Sequence, residues 1–110
     1  MRMWILVGNP DPTQTASVDI YFAGVKQAGS PFSIAPGGRL SPRWIGAMNG
    51  PVRVVSTNGV PIFTSERVIT YPNGIFNEMM GYPRNQMSSE FWYPYYDNVS
   101  MTTDVLVSRP

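Results

Sequence analysis

Short stretches of alternating apolar and polar residues recur along this chain, and this alternation predicts strands that bury one face. The clearest stretch is residues 17–22, where Val18, Ile20 and Phe22 alternate with more polar neighbours. An apolar stretch over residues 1–7 precedes Gly8 and predicts a first strand. Alternate positions of residues 99–107 are Val, Met or Thr, so a last strand is predicted there.

Turn residues divide the rest of the chain into further strand candidates. Residues 30–34 end at Pro36-Gly37-Gly38, and residues 39–45 contain Pro42, which favours a sheet edge. Asn58-Gly59 separates two β-rich stretches, 52–57 and 60–70, and this dipeptide predicts a hairpin with a type I′ turn. Residues 75–80 break the alternation and precede Gly81, which predicts one short helical turn.

Seven or eight short strands separated by turns predict an all-β fold, an immunoglobulin-like antiparallel β-sandwich. Residues 1–110 form a single domain in this interpretation. Composition agrees, because charged residues are only 14% of the chain, Lys26 is its one lysine, and Pro and Gly number 11 and 10. Long helices need more charged residues than this, whereas turn-rich β structure does not.

Charge and residue types exclude several functions. The net charge is +1 without any basic run, so nucleic acid is not an expected partner. No eighteen consecutive apolar residues and no signal-peptide pattern occur, so neither a membrane span nor a leader is expected in the printed chain. The absence of His and Cys removes His-based catalysis and thiolate metal sites. We therefore expect no enzyme, no cofactor and no metal site.

Acidic and amide side chains offer two weak exceptions. Seven carboxylates are scattered without a clustered pair, which argues against a glycosidase. The loop oxygens of Asn9 and Asp11, or of Asp97, Asn98 and Ser100, are the only candidates for calcium. Asn and Asp also cap turns in their own backbone, and this second explanation is favoured.

The charges at Glu66-Arg67 interrupt an apolar strand whose residues occupy both faces. One of the two charges is expected to point inward, with Arg53 or Glu90 as its partner. This interpretation gives the pair a structural role, either as an ion pair or as a bulge that fixes strand register.

An aromatic run at residues 91–96 is the strongest candidate for a binding surface. Aromatic side chains dominate protein interfaces and also stack on sugar rings. Alternation places Trp92, Pro94 and Tyr96 on one face and the other rings on the opposite face, and the core needs only one of them. An interface with neighbouring copies is favoured. The alternative is a carbohydrate-binding module for surface glycans that uses Trp92, Tyr93, Tyr95, Tyr96 and Trp44.

The two ends of the chain resemble each other. Ile5-Leu6-Val7-Gly8-Asn9-Pro10 returns as Val105-Leu106-Val107-Ser108-Arg109-Pro110. One interpretation is coincidence between two apolar strands that end in proline. The other is one period of a tandem array, which includes the strand that opens the next repeat.

The chain also resembles a family of tandem repeats of about a hundred residues in bacterial cell-surface proteins, domains of unknown function. The resemblance covers nearly the whole chain and rests on the order and spacing of six segments, at residues 5–10, 15–18, 34–39, 50–56, 65–69 and 89–94. It implies a secreted β-sandwich used as a spacer, stalk or adhesive unit, with no catalytic residues. The chain departs from the family in being a lone repeat.

These observations predict a non-catalytic structural or adhesive module of an extracellular stalk or filament. Its partners would be copies of itself, joined because the terminal strand of one unit pairs with the sheet of the next. The inter-subunit strand residues are Val99, Met101, Val105, Leu106 and Val107. The first strand, residues 3–8, is the expected neighbour of this strand.

Overall fold

Two antiparallel sheets packed face to face make up the structure, a computed structural model that describes residues 1–48, 50–70, 72, 74–93, 97, 99–100, 105 and 107–109. The predicted all-β sandwich is thereby confirmed. The immunoglobulin-like strand order stays a prediction. The described residues form nine strands rather than seven or eight, partly because Pro42 divides one predicted strand in two.

The first sheet has five strands and the second has four. The first contains β1 (Arg2–Gly8), β5 (Arg39–Leu40), β6 (Arg43–Ile45), β8 (Phe63–Thr70) and β9 (Ile75–Met80), in the order β5 and β6, β1, β8, β9. The second contains β2 (Ala16–Phe22), β3 (Val25–Lys26), β4 (Phe32–Ile34) and β7 (Val52–Ser56), in the order β3 and β4, β2, β7. A 3₁₀ turn, Arg84–Gln86, follows β9. Among the described residues, no helix has the length and apolar character that a membrane crossing requires.

The core lies between β1 and β2, the central strands of the two sheets. Alternate residues of each strand are buried, as the period of two requires. Buried apolar residues are Met3, Ile5 and Val7 on β1, Ala16, Val18, Ile20 and Phe22 on β2, and Ile34 and Val60. Fully burying one such side chain contributes roughly 1.5–3 kcal/mol, so this small set supplies most of the apolar driving force.

One side of the sandwich is covered by strands of both sheets. The loop from β4 to β5 bonds to the end of β1, where Asn9 N donates to Gly38 O at 2.9 Å. Nearby, the Trp44 ring of β6 packs edge-on against Phe22, with ring centroids 4.8 Å apart. Strands β3 and β4 therefore lie over β5 and β6. It follows that β7 lies over β8, and that no described strand lies over β9.

The predicted hairpin at Asn58-Gly59 is wrong. Strand β7 pairs with β2 in the second sheet, and β8 pairs with β1 and β9 in the first. The chain bends here with Gly59 at a φ of 78°, but Asn58 does not have the positive φ of a type I′ turn, and its side chain bonds back to β2. It accepts from Ser17 N at 3.1 Å and donates to Thr15 O at 2.8 Å. The chain then crosses between the sheets, with Val60 buried in the crossing.

Two further predictions about local structure have opposite outcomes. The short helical turn at residues 75–80 is wrong, since these residues form β9 and pair with β8 from Ser65↔Met80 to Thr70↔Ile75. The edge position expected from Pro42 is confirmed, because β5 and β6 flank Pro42 and pair only with β1. Pairing with β8 is a long-range contact, which the pattern of residues 75–80 alone does not reveal.

Strand β1 has partners on both sides, which corrects its expected role as neighbour of an incoming strand. It pairs along its whole length with β8, and its other edge is occupied by β5 and β6. Ile5 N, which points away from β8, donates to Pro42 O at 3.2 Å. An added strand cannot pair with β1 unless one of these neighbours leaves.

Candidate functional site

The side of the sandwich that carries β9 is open, and we call it the open side: β7, the inner faces of β8 and β9, and the gap beside β7. Ile5, Glu66 and Met79 lie in one row across β1, β8 and β9, so their side chains share the inner face. Ile75 also points inward, yet it is 67% exposed and Met79 is 46% exposed. The inner face of β9 therefore carries Ile75 and Met79 with Asn77 between them, and the described residues leave it uncovered.

The outer face of β9 is apolar and exposed as well. Phe76 and Met80 lie there, with Glu78 between them, and both apolar side chains are more than half exposed. A strand with apolar residues on both faces at a sheet edge is a recognised site of strand addition. No described residue of residues 81–93 is buried against it.

Hydrogen bonds at the two ends of β7 show which of its backbone groups are free. Thr57 N donates to Ser17 O at 2.7 Å, and Ala23 N donates to Pro51 O at 3.1 Å. Hydrogen-bonded pairs alternate along an antiparallel ladder, so Arg53 and Val55 bond to β2. The remaining strand residues, Val52, Val54 and Ser56, direct their N–H and C=O groups toward the gap beside β7.

The same reasoning applies to β9. Gly81 N donates to Thr64 O at 2.8 Å, which makes Glu66↔Met79 a hydrogen-bonded pair and leaves the neighbouring backbone groups free. Phe76, Glu78 and Met80 therefore direct their N–H and C=O groups away from β8. Among the described residues, no strand pairs with either of these two edges, one in each sheet.

An ion pair ties β8 to β9 on the outer face. Arg67 donates to Glu78 Oε2 from Nε at 3.0 Å and from the terminal nitrogen at 2.6 Å. The same guanidinium lies over the Phe76 ring, 5.6 Å from its centroid. The partner of Arg67 is therefore Glu78, and neither Arg53 nor Glu90 takes the predicted place.

Glu66 is the charge that points inward, as one of the pair was expected to do. Burial raises the pKa of its carboxyl above the ordinary value, since removing water penalises the charged form. Among the described residues, no hydrogen bond or ion pair to this carboxyl occurs. The group is half-buried on the inner face of β8, beside the exposed Met79.

The predicted aromatic surface is exposed where the structure describes it. Trp92 is 87% exposed, Tyr93 is largely exposed, and the Trp92 indole N–H donates to Glu90 Oε1 at 2.9 Å. Tyr95 and Tyr96 lie outside the described residues. Trp92 and Tyr93 are therefore available to a partner.

Trp44 occupies a different place from Trp92 and Tyr93. It shares the inner face with Met3, packs against Phe22 and lines a hollow of about 340 Å³ at one end of the sandwich. Val25 and Gln27 line the same hollow. The ring completes the core at this end and is only partly exposed.

The predicted inter-subunit strand is described only in part. Val99, Val105 and Val107 are exposed and belong to no strand, whereas Met101 and Leu106 lie outside the described residues. Arg109 lines a hollow at the start of β7, next to Pro51 and Arg53.

Two residues at the end of β1, Gly8 and Asn9, differ from their counterparts in the similar C-terminal segment, residues 105–110, which we call the C-terminal echo. Asn9 is 1% exposed, and its amide donates to Gln14 O, Ile34 O and Ala35 O at 2.7, 3.0 and 3.2 Å. Gly8 lies under the Phe63 ring, which a Cβ at this position would overlap. The echo has Ser108 and Arg109 at these two positions.

Three of the predicted calcium candidates, Asn9, Asp11 and Asp97, accept hydrogen bonds from the backbone of their own loops, and Asn98 lies outside the described residues. Asp11 Oδ1 accepts from Thr13 N and Gln14 N, each at 2.8 Å, and these bonds lower the pKa of its carboxyl. Asp97 accepts from the backbone of Ser100 and from its hydroxyl. In the part of the chain that the structure describes, no three potential metal ligands cluster.

Comparison with known proteins gives no match for this chain among family models, curated proteins or solved structures. The functional interpretation therefore depends on the geometry of the open side. Sequence reasoning missed both free edges. The one available signal was the pair of apolar doublets, Ile75-Phe76 and Met79-Met80, which place apolar residues on both faces of a strand.

Proposed function

We propose that this chain is a non-catalytic structural or adhesive unit of an extracellular stalk or filament, joined to neighbouring copies by strand pairing. The observation that carries the proposal is the open side, where no described strand pairs with the edge of either sheet and no described residue covers the inner face of β9. The C-terminal echo of the first strand supplies an apolar segment for pairing. The resemblance to tandem surface repeats supports an extracellular location.

Free edges favour a joining role for a physical reason. An unpaired row of N–H and C=O groups binds a strand with directional hydrogen bonds, and proteins that remain monomeric usually block such edges with charge, proline or bulges. The edge of β9 contains one charged residue, Glu78, and Arg67 already pairs with it. The edge is therefore left without an effective block.

Sedimentation velocity of the full chain over a wide concentration range tests the proposal. We expect the mean mass to rise with concentration, and Val105→Asp with Val107→Asp to weaken this rise by about tenfold or more, since buried charge opposes strand pairing. Both valines are exposed, so the substitutions spare the fold. A strictly monomeric wild-type chain would contradict the proposal.

The rival function is carbohydrate binding, which the exposure of Trp92 favours. Affinity electrophoresis on soluble and insoluble glycans tests it, with Trp92→Ala as the control. Retardation that disappears in Trp92→Ala, in a chain that does not self-associate, would replace the structural proposal. Migration unchanged by every glycan would remove the rival.

A further inference from the structure

We propose that Asn58-Gly59 is a site of deamidation, and that the reaction detaches the crossing between the two sheets from the segment that opens β2. The crossing is residues 57–62, between β7 and β8, and Val60 is buried in it. The proposal goes beyond the proposed function and does not depend on it, because both sheets must stay joined in every copy of the fold.

The two residues have the composition and the exposure that this reaction requires. Asn58 is followed by Gly59, the neighbour that least hinders attack on an asparagine side chain, because glycine has no Cβ beside its backbone nitrogen. Gly59 has a φ of 78°, and a Cβ built there meets no heavy atom within 4 Å. Both residues are exposed, so water reaches the groups that react.

Deamidation needs only these two residues and water. The backbone nitrogen of Gly59 forms a bond to Asn58 Cγ, while the bond from Cγ to Nδ2 breaks. Nδ2 leaves as ammonia and takes with it the proton that the Gly59 nitrogen gives up. Water then opens the cyclic succinimide that remains. Breaking the bond between Cγ and nitrogen gives aspartate, and breaking the bond between the main-chain carbonyl carbon and nitrogen gives isoaspartate.

The side-chain amide of Asn58 continues the hydrogen-bonded ladder between β2 and β7. Directly after β7, Thr57 N donates to Ser17 O at 2.7 Å. The Asn58 amide comes next, since Oδ1 accepts from Ser17 N at 3.1 Å and Nδ2 donates to Thr15 O at 2.8 Å. One side chain thus supplies an acceptor and a donor, as a backbone peptide group of a neighbouring strand would. These two bonds tie the crossing to the segment that opens β2.

Neither product of the reaction makes both bonds. An ionised aspartate keeps one oxygen for Ser17 N, but it places a second acceptor against Thr15 O, where the amide had a donor. Isoaspartate also adds a carbon to the main chain, which changes the length of the crossing. The bond to Thr15 O is lost in either case, and the folded state is destabilised.

Asn58→Asp reproduces the aspartate product, and Asn85→Asp is its matched control. Asn85 lies in the exposed 3₁₀ turn and makes no side-chain hydrogen bond among the described residues. Both variants change the net charge equally. In urea denaturation of the dilute full chain, we expect Asn58→Asp to raise the equilibrium constant for unfolding at least about fivefold, and Asn85→Asp to raise it by no more than about twofold.

Mass spectrometry of the aged wild-type chain tests the reaction itself. The full chain is incubated at mildly alkaline pH and then treated briefly with a protease, in the urea concentration at which half of the fresh chain is unfolded. Brief proteolysis cleaves the unfolded molecules and leaves the folded ones intact. The peptide that contains residues 58 and 59 should show the mass gain of deamidation. Its modified form should be depleted about threefold or more among the intact molecules, as a fivefold larger unfolding constant requires.

Each contrary outcome overturns a definite statement. If the peptide stays unmodified in the folded chain while the urea-unfolded chain deamidates there, Asn58-Gly59 is not a site of reaction in the folded protein. Modified chains that survive proteolysis as well as unmodified ones, or equal effects of Asn58→Asp and Asn85→Asp, overturn the detachment of the crossing. Neither measurement involves self-association, so either failure leaves the proposed function standing, and a chain that never associates leaves the deamidation site standing.

Discussion

The covered side and the open side of this sandwich both have isoleucine on the inner face of a strand, but the two isoleucines differ greatly in burial. On the covered side, Ile20 lies between two sheets and is fully buried, whereas on the open side Ile75 is 67% exposed. The difference comes from the number of strands across the core, since β9 has no described strand opposite it. The exposure of Ile75 therefore reflects the lack of a described strand over the inner face of β9.

The largest expected contrast is between two Ile→Ala substitutions, one on each side. Ile20→Ala removes a fully buried side chain and should lower the free energy of unfolding by about 3–4 kcal/mol. Ile75→Ala removes an exposed one and should change it by less than about 0.5 kcal/mol in dilute solution. Urea denaturation of both variants measures the difference, and equal losses would mean that the open side is already covered in the monomer.

Two asparagines give a smaller contrast of the same kind. Asn9→Ala removes a buried amide that serves three carbonyls, and should destabilise the fold by about 2–3 kcal/mol. Asn77 on β9 is exposed and makes no side-chain hydrogen bond among the described residues, so Asn77→Ala should cost less than about 0.5 kcal/mol. Thermal melting compares the two variants. A small loss of stability in Asn9→Ala would show that water replaces the lost amide donor.

The carboxyls of Glu66 and Asp11 should change the free energy of unfolding in opposite directions as the pH changes. Burial raises the pKa of Glu66 in the folded state, so the unfolded state loses its proton first and stability falls as the pH rises through the folded pKa. The turn bonds lower the pKa of Asp11, so its contribution is present above the ordinary pKa and lost as the pH falls through the folded value.

Variants separate these two pH effects. In unfolding curves measured from pH 3 to pH 8, Glu66→Gln should remove the decrease in the free energy of unfolding that occurs as the pH rises. Asp11→Asn should remove the decrease that occurs as the pH falls. Unchanged pH profiles in both variants would show that neither carboxyl is perturbed.

The smallest expected effect is the coupling between Arg67 and Glu78. Both side chains are exposed enough for water to screen them, at 44% and 34%. A double-mutant cycle with alanine should therefore give about 0.5 kcal/mol, reduced further by salt. A coupling several times larger would mean that β9 is held more tightly to β8 than its exposure indicates.

Sequence reasoning succeeded where a pattern is local. The alternation of Val18, Ile20 and Phe22 predicted β2, and Pro42 predicted the sheet edge at β5 and β6. It failed where a long-range contact decides the structure. Asn58-Gly59 has the local pattern of a hairpin turn, but β7 pairs with β2 while β8 pairs with β1 and β9, so the chain crosses between sheets there.

The candidate site was less predictable than the fold. Trp92 and Tyr93 are exposed, and their role as an interface stays a prediction, whereas Trp44 was grouped with them although it packs against Phe22. The free edges of β7 and β9 depend on which strands lack a neighbour. Which strands lack a neighbour is a property of the topology, and no residue type along the chain indicates it.

Electron microscopy of the full chain, in negative stain after concentration, tests most directly whether copies join through the open side. We expect chains of particles with a regular repeat for the wild type, and separate particles for Met79→Lys. Separate particles of uniform size for the wild type at every concentration would contradict it.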